Sequence, residues 1–386
     1  MSVKRINLLG ASGSIGTQVQ DVCRMYPDRL AVNACAVNTN VEALSGCVRE
    51  FGVKKACVAD ERCLSSARDA LFGTGCEVYA GSEGLCRLAA DTDGDMTVDS
   101  VVGFAGLAPA DAAIRAGIPL ALANKESLVA GGSYIMGLAK SRNVDIIPID
   151  SEHSAILQCL MSATEHDRHT QLKSIILTAS GGPFAGKKRG ELENVTPADA
   201  LAHPNWDMGV RITTDSATMM NKGFELIEAC HLFGVAPDKV NVVVHRQSII
   251  HSAVEFSDNA VIAQLGVPDM RIPIQYALFF PERRPSPAKA LSLTDIGTMT
   301  FEKPDTETFT CLKAAMTAAE RLDTTAGAII NAADEELVKL FHAGRIRFTD
   351  IFDGVCAALE NIPAEKADSL TVIEKADRAA REYCKG

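Results

Sequence analysis

Two carboxylates stand two residues apart in Ile146-Ile147-Pro148-Ile149-Asp150-Ser151-Glu152-His153, where a short apolar run ends. In extended chain, positions i and i+2 lie on one face. Asp150 and Glu152 are therefore expected side by side at the C-terminal end of a strand. Like charges held together favour a divalent cation, and an oxygen-only donor set suits Mg²⁺ or Mn²⁺ better than Zn²⁺. Taken alone, the same pair is more often a helix N-cap and a surface charge. A second cluster, Thr213 to Glu225, offers hydroxyls, an amide, an ammonium and a carboxylate. If it is helical, Asn221 and Glu225 are i,i+4 neighbours and Lys222 and Glu225 are i,i+3. That face can hold a phosphate through Ser216, Asn221 and Lys222 and aim Glu225 at a metal; the plainer alternative is a surface Lys–Glu pair.

Three further segments carry chemistry. Thr178-Ala179-Ser180-Gly181-Gly182-Pro183-Phe184 follows a strand-like run, and its small residues can present N–H groups and a hydroxyl to a phosphate. The single Trp of the chain lies in Ala202-His203-Pro204-Asn205-Trp206-Asp207-Met208-Gly209. Bounded by Pro and Gly, this stretch suits either a lid that excludes water or a static loop anchored by its Trp. His245 and His251 are six residues apart. A zinc pair is conceivable there, but structural histidines are the better reading.

Leu8-Leu9-Gly10-Ala11-Ser12-Gly13-Ser14-Ile15-Gly16 joins a strand-like run to a helix-like one. Glycines let the backbone turn tightly against a pyrophosphate, and the helix start supplies free N–H groups. The spacing is G-x-x-G-x-x-G rather than G-x-G-x-x-G, so the dinucleotide reading rests on the strand–turn–helix context. The second strand ends Ala36-Val37-Asn38-Thr39-Asn40, with no carboxylate for a ribose 2′-hydroxyl. A 2′-phosphate meets no repulsion there, which favours NADPH.

These segments need elements to position them. Strands are expected at Ile6–Gly10, Ala31–Val37, Ala56–Val58, Ser100–Val102, Leu120–Ala123 and Ile146–Asp150, alternating with helical stretches, hence a Rossmann-like parallel sheet over residues 1–150. Leu172–Thr178, Val240–Val244, Ile249–Phe256 and Val261–Leu265 then suggest a mixed sheet in an α+β catalytic domain, 151–285, with a lid near 203–209. A Pro-rich stretch around 281–287 introduces a linker, 286–305, and 306–386 reads as a helical bundle. Among 386 residues, 47% are hydrophobic and 23% charged, which is ordinary globular composition. The net charge of −11 disfavours nonspecific nucleic-acid or acidic-membrane binding. No apolar run approaches the roughly 20 residues of a membrane span, and no signal peptide is visible. The 12 Cys contain no Cys-x-x-Cys, which suits buried free thiols of a soluble cytoplasmic protein.

Taken together and in order, Gly10–Gly16, Asn124-Lys125-Glu126-Ser127, Asp150-Ser151-Glu152-His153, Ser180-Gly181-Gly182-Pro183-Phe184, His203-Pro204-Asn205-Trp206 and Asp215–Glu225 closely resemble the 1-deoxy-D-xylulose 5-phosphate reductoisomerases. The resemblance implies a homodimer with a dinucleotide domain, a catalytic domain and a C-terminal four-helix bundle. It implies NADPH- and Mg²⁺-, Mn²⁺- or Co²⁺-dependent conversion of 1-deoxy-D-xylulose 5-phosphate to 2-C-methyl-D-erythritol 4-phosphate in non-mevalonate isoprenoid synthesis. By matching position, Asp150, Glu152 and Glu225 would bind the metal, and Ser180, Ser216, Asn221 and Lys222 the substrate phosphate. Lys125 and Ser151 would contact the substrate near the metal. His203, Trp206 and Met208 would belong to the lid and meet the substrate. Ser12, Gly13, Ser14, Ile15, Asn38, Asn40, Asn124, Glu126 and Gly209 would touch the cofactor. Glu152, Lys125 and His203 are the candidate catalytic groups. The chain departs from the family pattern at Arg246, where Pro is usual, at Ala179, where Gly is frequent, and at Asn38-Thr39, where Gly-Lys occurs. Two rivals explain the glycine turn alone: an NADP-dependent aldehyde or semialdehyde dehydrogenase, and a non-catalytic dinucleotide sensor.

Overall fold

A computed structural model of the chain describes residues 3–203, 206 and 208–386. Two compact units emerge. The first comprises residues up to 127, then 135–150 and 269–288; the second comprises 128–134, 151–268 and 289–386.

The first unit is built on seven strands: β1 (Lys4–Leu9), β2 (Leu30–Val37), β3 (Lys55–Val58), β4 (Glu77–Ala80), β5 (Met96–Asp99), β6 (Leu120–Leu122) and β7 (Ile146–Pro148). All pairs are parallel, in the order β4-β3-β2-β1-β5-β6-β7. The strand order therefore reverses beside β1, and a crevice opens at that point in doubly wound sheets. Ile6, Leu8 and Leu9 of β1 are fully buried, as a central parallel strand requires. The structure corrects three readings. The strand expected at Ser100–Val102 is Met96–Asp99; Asp99 turns the chain by accepting a hydrogen bond from the Val101 N–H at 3.1 Å, and Val102 is 72% exposed. The edge strand β4 escaped notice because none of its residues is buried, so it shows no apolar run. Asp150 does not extend β7: the chain bends there and a helix opens at Ser151.

The helix α1 (Ser14–Met25) follows β1, and α2 (Lys125–Arg142) follows β6. In the second unit come α3 (Ser151–Leu160), α4 (Val210–Thr218) and α5 (Met220–Phe233). Its sheet has the order β11-β10-β8-β9, from β8 (Leu172–Ala179), β9 (Val240–Val244), β10 (Ile250–Phe256) and β11 (Val261–Leu265). β8 and β9 are parallel and the other pairs antiparallel, the mixed sheet that the pattern suggested.

The expected domain limits change at the Pro-rich region. The helix α6 (Arg271–Phe279) and its Pro-rich continuation group with the first unit rather than closing the catalytic one. Tyr26, just after α1, packs edge-on against Phe279 with ring centroids 4.9 Å apart, and its hydroxyl bonds the Pro285 carbonyl. An aromatic anchor of this kind outweighs the loop propensity of Pro. The C-terminal helices α7 (Thr310–Ala319), α8 (Ala326–His342), α9 (Phe348–Asn361) and α10 (Leu370–Lys385) belong to the second unit. There α5 runs tightly against α7: a Cβ on Gly223 would stand 2.4 Å from the Ala315 Cβ. Among the described residues, no helix is long and apolar enough to cross a membrane.

Candidate active site

In the first unit, the glycine turn lies at the strand-order reversal. Gly10 has φ +85°, which L side chains rarely adopt, and a Cβ there would meet the Ser100 carbonyl oxygen at 2.5 Å. A Cβ on Gly16 would stand 2.2 Å from the Gly10 oxygen. The N-cap of α1 is Gly13, with no side-chain cap and no acidic residue in the first turn. Gly13 and Ser14 are exposed, Ser12 and Ile15 half-buried. Exposed N–H groups at the positive end of a helix dipole form an anion cradle. Asn38 and Asn40 are exposed just past β2, and Asn40 already caps the next helix by accepting from the Ala43 N–H at 3.0 Å.

Asn124 is committed internally. Its amide nitrogen donates to the carbonyls of Val101 at 2.7 Å and Gly103 at 2.9 Å and to Glu126 Oε2 at 3.1 Å. Its oxygen caps α2 through the Ser127 N–H at 2.9 Å. Asn124 thus also braces the start of α2 and the turn after β5. Lys125 follows it in the first turn of α2 and places Nζ 2.8 Å from Asp150 Oδ2, both side chains under a tenth exposed.

Asp99, at the end of β5, had no assigned role. It is fully buried; Oδ1 accepts from Val101, while Oδ2 has no hydrogen-bond partner among the described residues. Burial pushes its pKa up to about 8. The folded state thus holds a proton that the unfolded state loses near the ordinary value. This contribution to stability is whole at acid pH, declines as pH rises past about 4 and is exhausted above about 8. Relative to Asp99→Asn, the wild type should lose up to about 1.4 kcal/mol of unfolding free energy per pH unit in that window. Urea unfolding of both proteins across the window checks this; parallel curves would show Asp99 to be ionised throughout.

In the second unit, Glu152 sits in the first turn of α3, and Ser151 Oγ donates to Glu152 Oε2 at 2.6 Å. Met219, with φ +61°, breaks the Thr213–Glu225 segment into α4 and α5. Within α5 the expected i,i+4 and i,i+3 relations hold. Asn221 Nδ2 donates to Glu225 Oε1 at 2.5 Å, and Lys222 Nζ pairs with Glu225 Oε2 and lies 3.2 Å from Glu152 Oε1. His153 is fully buried; its Nε2 lies 2.9 Å from the Glu225 carbonyl oxygen and its Nδ1 3.3 Å from Glu228 Oε2, so it braces α5 from α3. Its only sequence signal is its place beside Glu152. Asp150 is joined to Glu152 through a single residue, and one oxygen each of Asp150, Glu152 and Glu225 lies within 4.8 Å of the others. Three clustered carboxylate oxygens fit a hard divalent cation.

The Ser180 loop and α4 meet closely. Gly182 has φ +68°, and a Cβ there would stand 2.3 Å from the Ser216 carbonyl oxygen. Phe184 anchors the loop edge-on against Phe348 of α9, centroids 5.1 Å apart. Ser216 itself bonds the Ile212 carbonyl at 2.9 Å. His203 Nδ1 accepts from the Trp206 N–H at 3.0 Å, so in its neutral form Nε2 carries the proton and donates to Ser180 Oγ, 3.0 Å away. Burial lowers the His203 pKa, which agrees with a neutral ring. Trp206 packs near His251, ring centroids 6.0 Å apart, and Met208 and Gly209 lead into α4. Pro204, Asn205 and Asp207 of the expected lid lie outside the described residues. His245 is structural: Nε2 accepts from the Ile249 N–H at 3.2 Å, leaving Nδ1 to donate to the Thr300 carbonyl at 2.9 Å. Both ring nitrogens are used, which argues against the zinc pair.

A dinucleotide crevice and a carboxylate cluster define an oxidoreductase that works with a nicotinamide cofactor and a divalent cation. Family models carry this further. The model of 1-deoxy-D-xylulose 5-phosphate reductoisomerase matches residues 6–132, and two models of C-terminal domains of that enzyme match 146–233 and 265–383. The reductoisomerase of Geobacillus sp. (strain WCH70) is 45% identical over 382 residues, 99% of each chain. That of Lachnospira eligens is 48% identical over 360 residues, 93% of each. Among solved structures, the Zymomonas mobilis enzyme in complex with NADPH matches with a TM-score of 0.91 at 39% identity, covering 99% of this chain and 98% of that one. A DOX-P reductoisomerase complex with NADPH, fosmidomycin and magnesium matches at 0.95 and 38%, with the same coverage. The chain belongs to the 1-deoxy-D-xylulose 5-phosphate reductoisomerase family.

Proposed function

We infer that this chain catalyses the NADPH- and divalent-metal-dependent isomerisation and reduction of 1-deoxy-D-xylulose 5-phosphate to 2-C-methyl-D-erythritol 4-phosphate, acting in the cytoplasm as a homodimer. The observation that carries the reading is the gathering of Asp150, Glu152 and Glu225 oxygens within 4.8 Å. Mn²⁺, Mg²⁺ or Co²⁺ would be held there. Such a cation supplies Lewis acidity to a ketone, and NADPH supplies hydride to the aldehyde that follows rearrangement of the carbon skeleton.

The protein's own groups do the rest. The glycine turn and Ser12, Gly13, Ser14 and Ile15 receive the cofactor's pyrophosphate, with Asn38, Asn40, Asn124, Glu126 and Gly209 at its margins. Glu152 handles the proton of the substrate hydroxyl, with Ser151 steering its carboxylate. Lys125, paired with Asp150, offsets negative charge beside the reacting carbons. Ser180, Ser216, Asn221 and Lys222 hold the phosphate, and this remote binding energy positions the reacting end. His203 holds Ser180 in orientation from the lid, while Trp206 and Met208 cover the substrate and exclude water.

Lys222 links the two sub-sites. Its ammonium balances Glu152 and Glu225 in this structure. Those carboxylates cannot serve Lys222 and a divalent cation equally, because like charges repel. With a cation held there, Lys222 would be released to meet the phosphate. Lys222→Ala should raise the substrate KM about 10- to 100-fold, the worth of one charge-assisted hydrogen bond. Steady-state kinetics at saturating metal check this, and an unchanged KM would move the phosphate site elsewhere.

The activity is tested by following NADPH oxidation with 1-deoxy-D-xylulose 5-phosphate, first with Mn²⁺ and then with excess chelator. Oxidation that needs both sugar phosphate and metal supports the reading. Metal-independent reduction of aldehydes by NADPH instead would favour a plain dehydrogenase.

A further inference from the structure

Between α4 and α8 lies a second set of buried acids that the reaction does not use. Asp334 of α8 is fully buried, and neither of its oxygens has a hydrogen-bond partner among the described residues. Asp215 of α4 faces it. Arg211, one turn before Asp215, approaches both acids only loosely, at 3.6 Å from Asp215 Oδ2 and 3.8 Å from Asp334 Oδ2. Its firm bond is to Asn331 Oδ1, at 2.7 Å. Glu335, next to Asp334, is met by Arg381 at 2.9 Å, by Lys339 at 3.1 Å and by Arg211 at 3.4 Å.

We propose that Asp215 and Asp334 form a proton-sharing carboxyl pair, with Arg211 across it, that acts as a positioning device for Ser216 and hence for the substrate phosphate. Two facing carboxylates contain no donor, which is why both Asp334 oxygens lack one. A single proton on Asp334 provides it, and the O–H then donates to Asp215. Like charges in an apolar interior retain that proton. The groups facing Asp334 agree. Arg211 and Asp215 come from α4, Glu335 from its own helix, Cys311 from α7 and Cys384 from α10. Burial raises both thiols, Cys384 to about 11, leaving Arg211 as the cation of that set. Burial and Asp215 hold Asp334 well above the ordinary carboxylate range.

The geometry carries this to the site. Asp215 and Ser216 are adjacent in α4, and the Gly182 backbone rests on the Ser216 carbonyl closely enough to forbid a Cβ. Small shifts of α4 therefore move the Ser216 hydroxyl and the Ser180 loop together. The proposal rests on the assignment of Ser216 to the phosphate.

The experiment compares Asp334→Asn, Asp334→Ala and Ser216→Ala in the NADPH- and Mn²⁺-loaded enzyme. Asn keeps a donor toward Asp215; Ala removes it. Asp334→Ala is expected to raise the substrate KM about tenfold, with kcat and NADPH affinity unchanged, while Asp334→Asn stays within about twofold. The wild-type KM should also climb as alkaline pH ionises Asp334, and Asp334→Asn should lack that component, a readout that stands even if the Ala variant does not fold. Impairment of Asp334→Asn, or an alkaline rise identical to wild type, would overturn the proposal by showing that Asp334 acts as a carboxylate. Ser216→Ala with a normal KM would overturn the phosphate assignment itself. Ser216→Ala with a raised KM beside a normal Asp334→Ala would overturn only the positioning role.

Discussion

Glu225→Gln should cut kcat by roughly a thousandfold at limiting metal, the order of loss when a stabiliser of a developing oxyanion is removed. Gln matches Glu in size, so α5 keeps its packing against α7, and an amide oxygen can still accept from Asn221 Nδ2. What disappears is one of the three charges that gather at Asp150, Glu152 and Glu225. The neutral amide is a much poorer ligand for a hard cation. Lys222 keeps its Glu152 partner, so no buried ammonium is stranded. The anion cradle lies at the start of α1, in the other unit. NADPH affinity, measured by fluorescence titration, should therefore stay near wild type. Saturating Mn²⁺ should restore part of the rate, because the defect is in occupancy as well as in charge. Near-wild-type turnover at limiting metal would remove Glu225 from the metal set.

Much of this architecture is legible in the residues themselves. Central parallel strands betray themselves as unbroken apolar runs, as in Ile6–Leu9, and the bundle helices as long apolar stripes, as in Ala326–His342. What escapes is whatever depends on partners distant in sequence. β4 has no buried residue and exists only because β3 supplies its hydrogen bonds. The run Pro281–Pro287 reads as a linker, yet Tyr26, more than 250 positions away, holds it on the first unit. The candidate site divides in the same way. Asn221, Lys222 and Glu225 meet through one helix period, so their spacing announces them. Asp150 and Glu152 were expected together for an incorrect reason. They do not alternate along a strand; a bend and the first turn of α3 bring their oxygens together. Asp99 and Asp334 carry no signal at all, because an isolated Asp reads as surface charge until burial is known.

Gly16→Ala is the corresponding prediction for the cofactor side. The added methyl would stand 2.2 Å from the Gly10 carbonyl oxygen and under 3 Å from the Ala11 backbone, so the turn itself must yield. Gly10 cannot give way freely, since its φ of +85° and its approach to Ser100 already restrict it. The strain expected from such overpacking is about 1–3 kcal/mol. Any relief shifts the N–H groups of Ser12, Ser14 and Ile15, and an anion cradle depends on where they point. NADPH should bind about 100-fold more weakly, equivalent to about 2.7 kcal/mol, whereas Mn²⁺ affinity and substrate-phosphate binding should not move. Gly46→Ala is the matched control. That glycine lies inside the helix after Asn40 with nothing within 4 Å of the added carbon, so the change should leave NADPH binding intact and favour the helix by about 1 kcal/mol. Together with Glu225→Gln this makes a double dissociation: one variant loses cofactor and keeps metal, the other the reverse. Normal NADPH affinity in Gly16→Ala would place the pyrophosphate away from this turn. Loss of metal binding in the same variant would show that the two sites do not act independently.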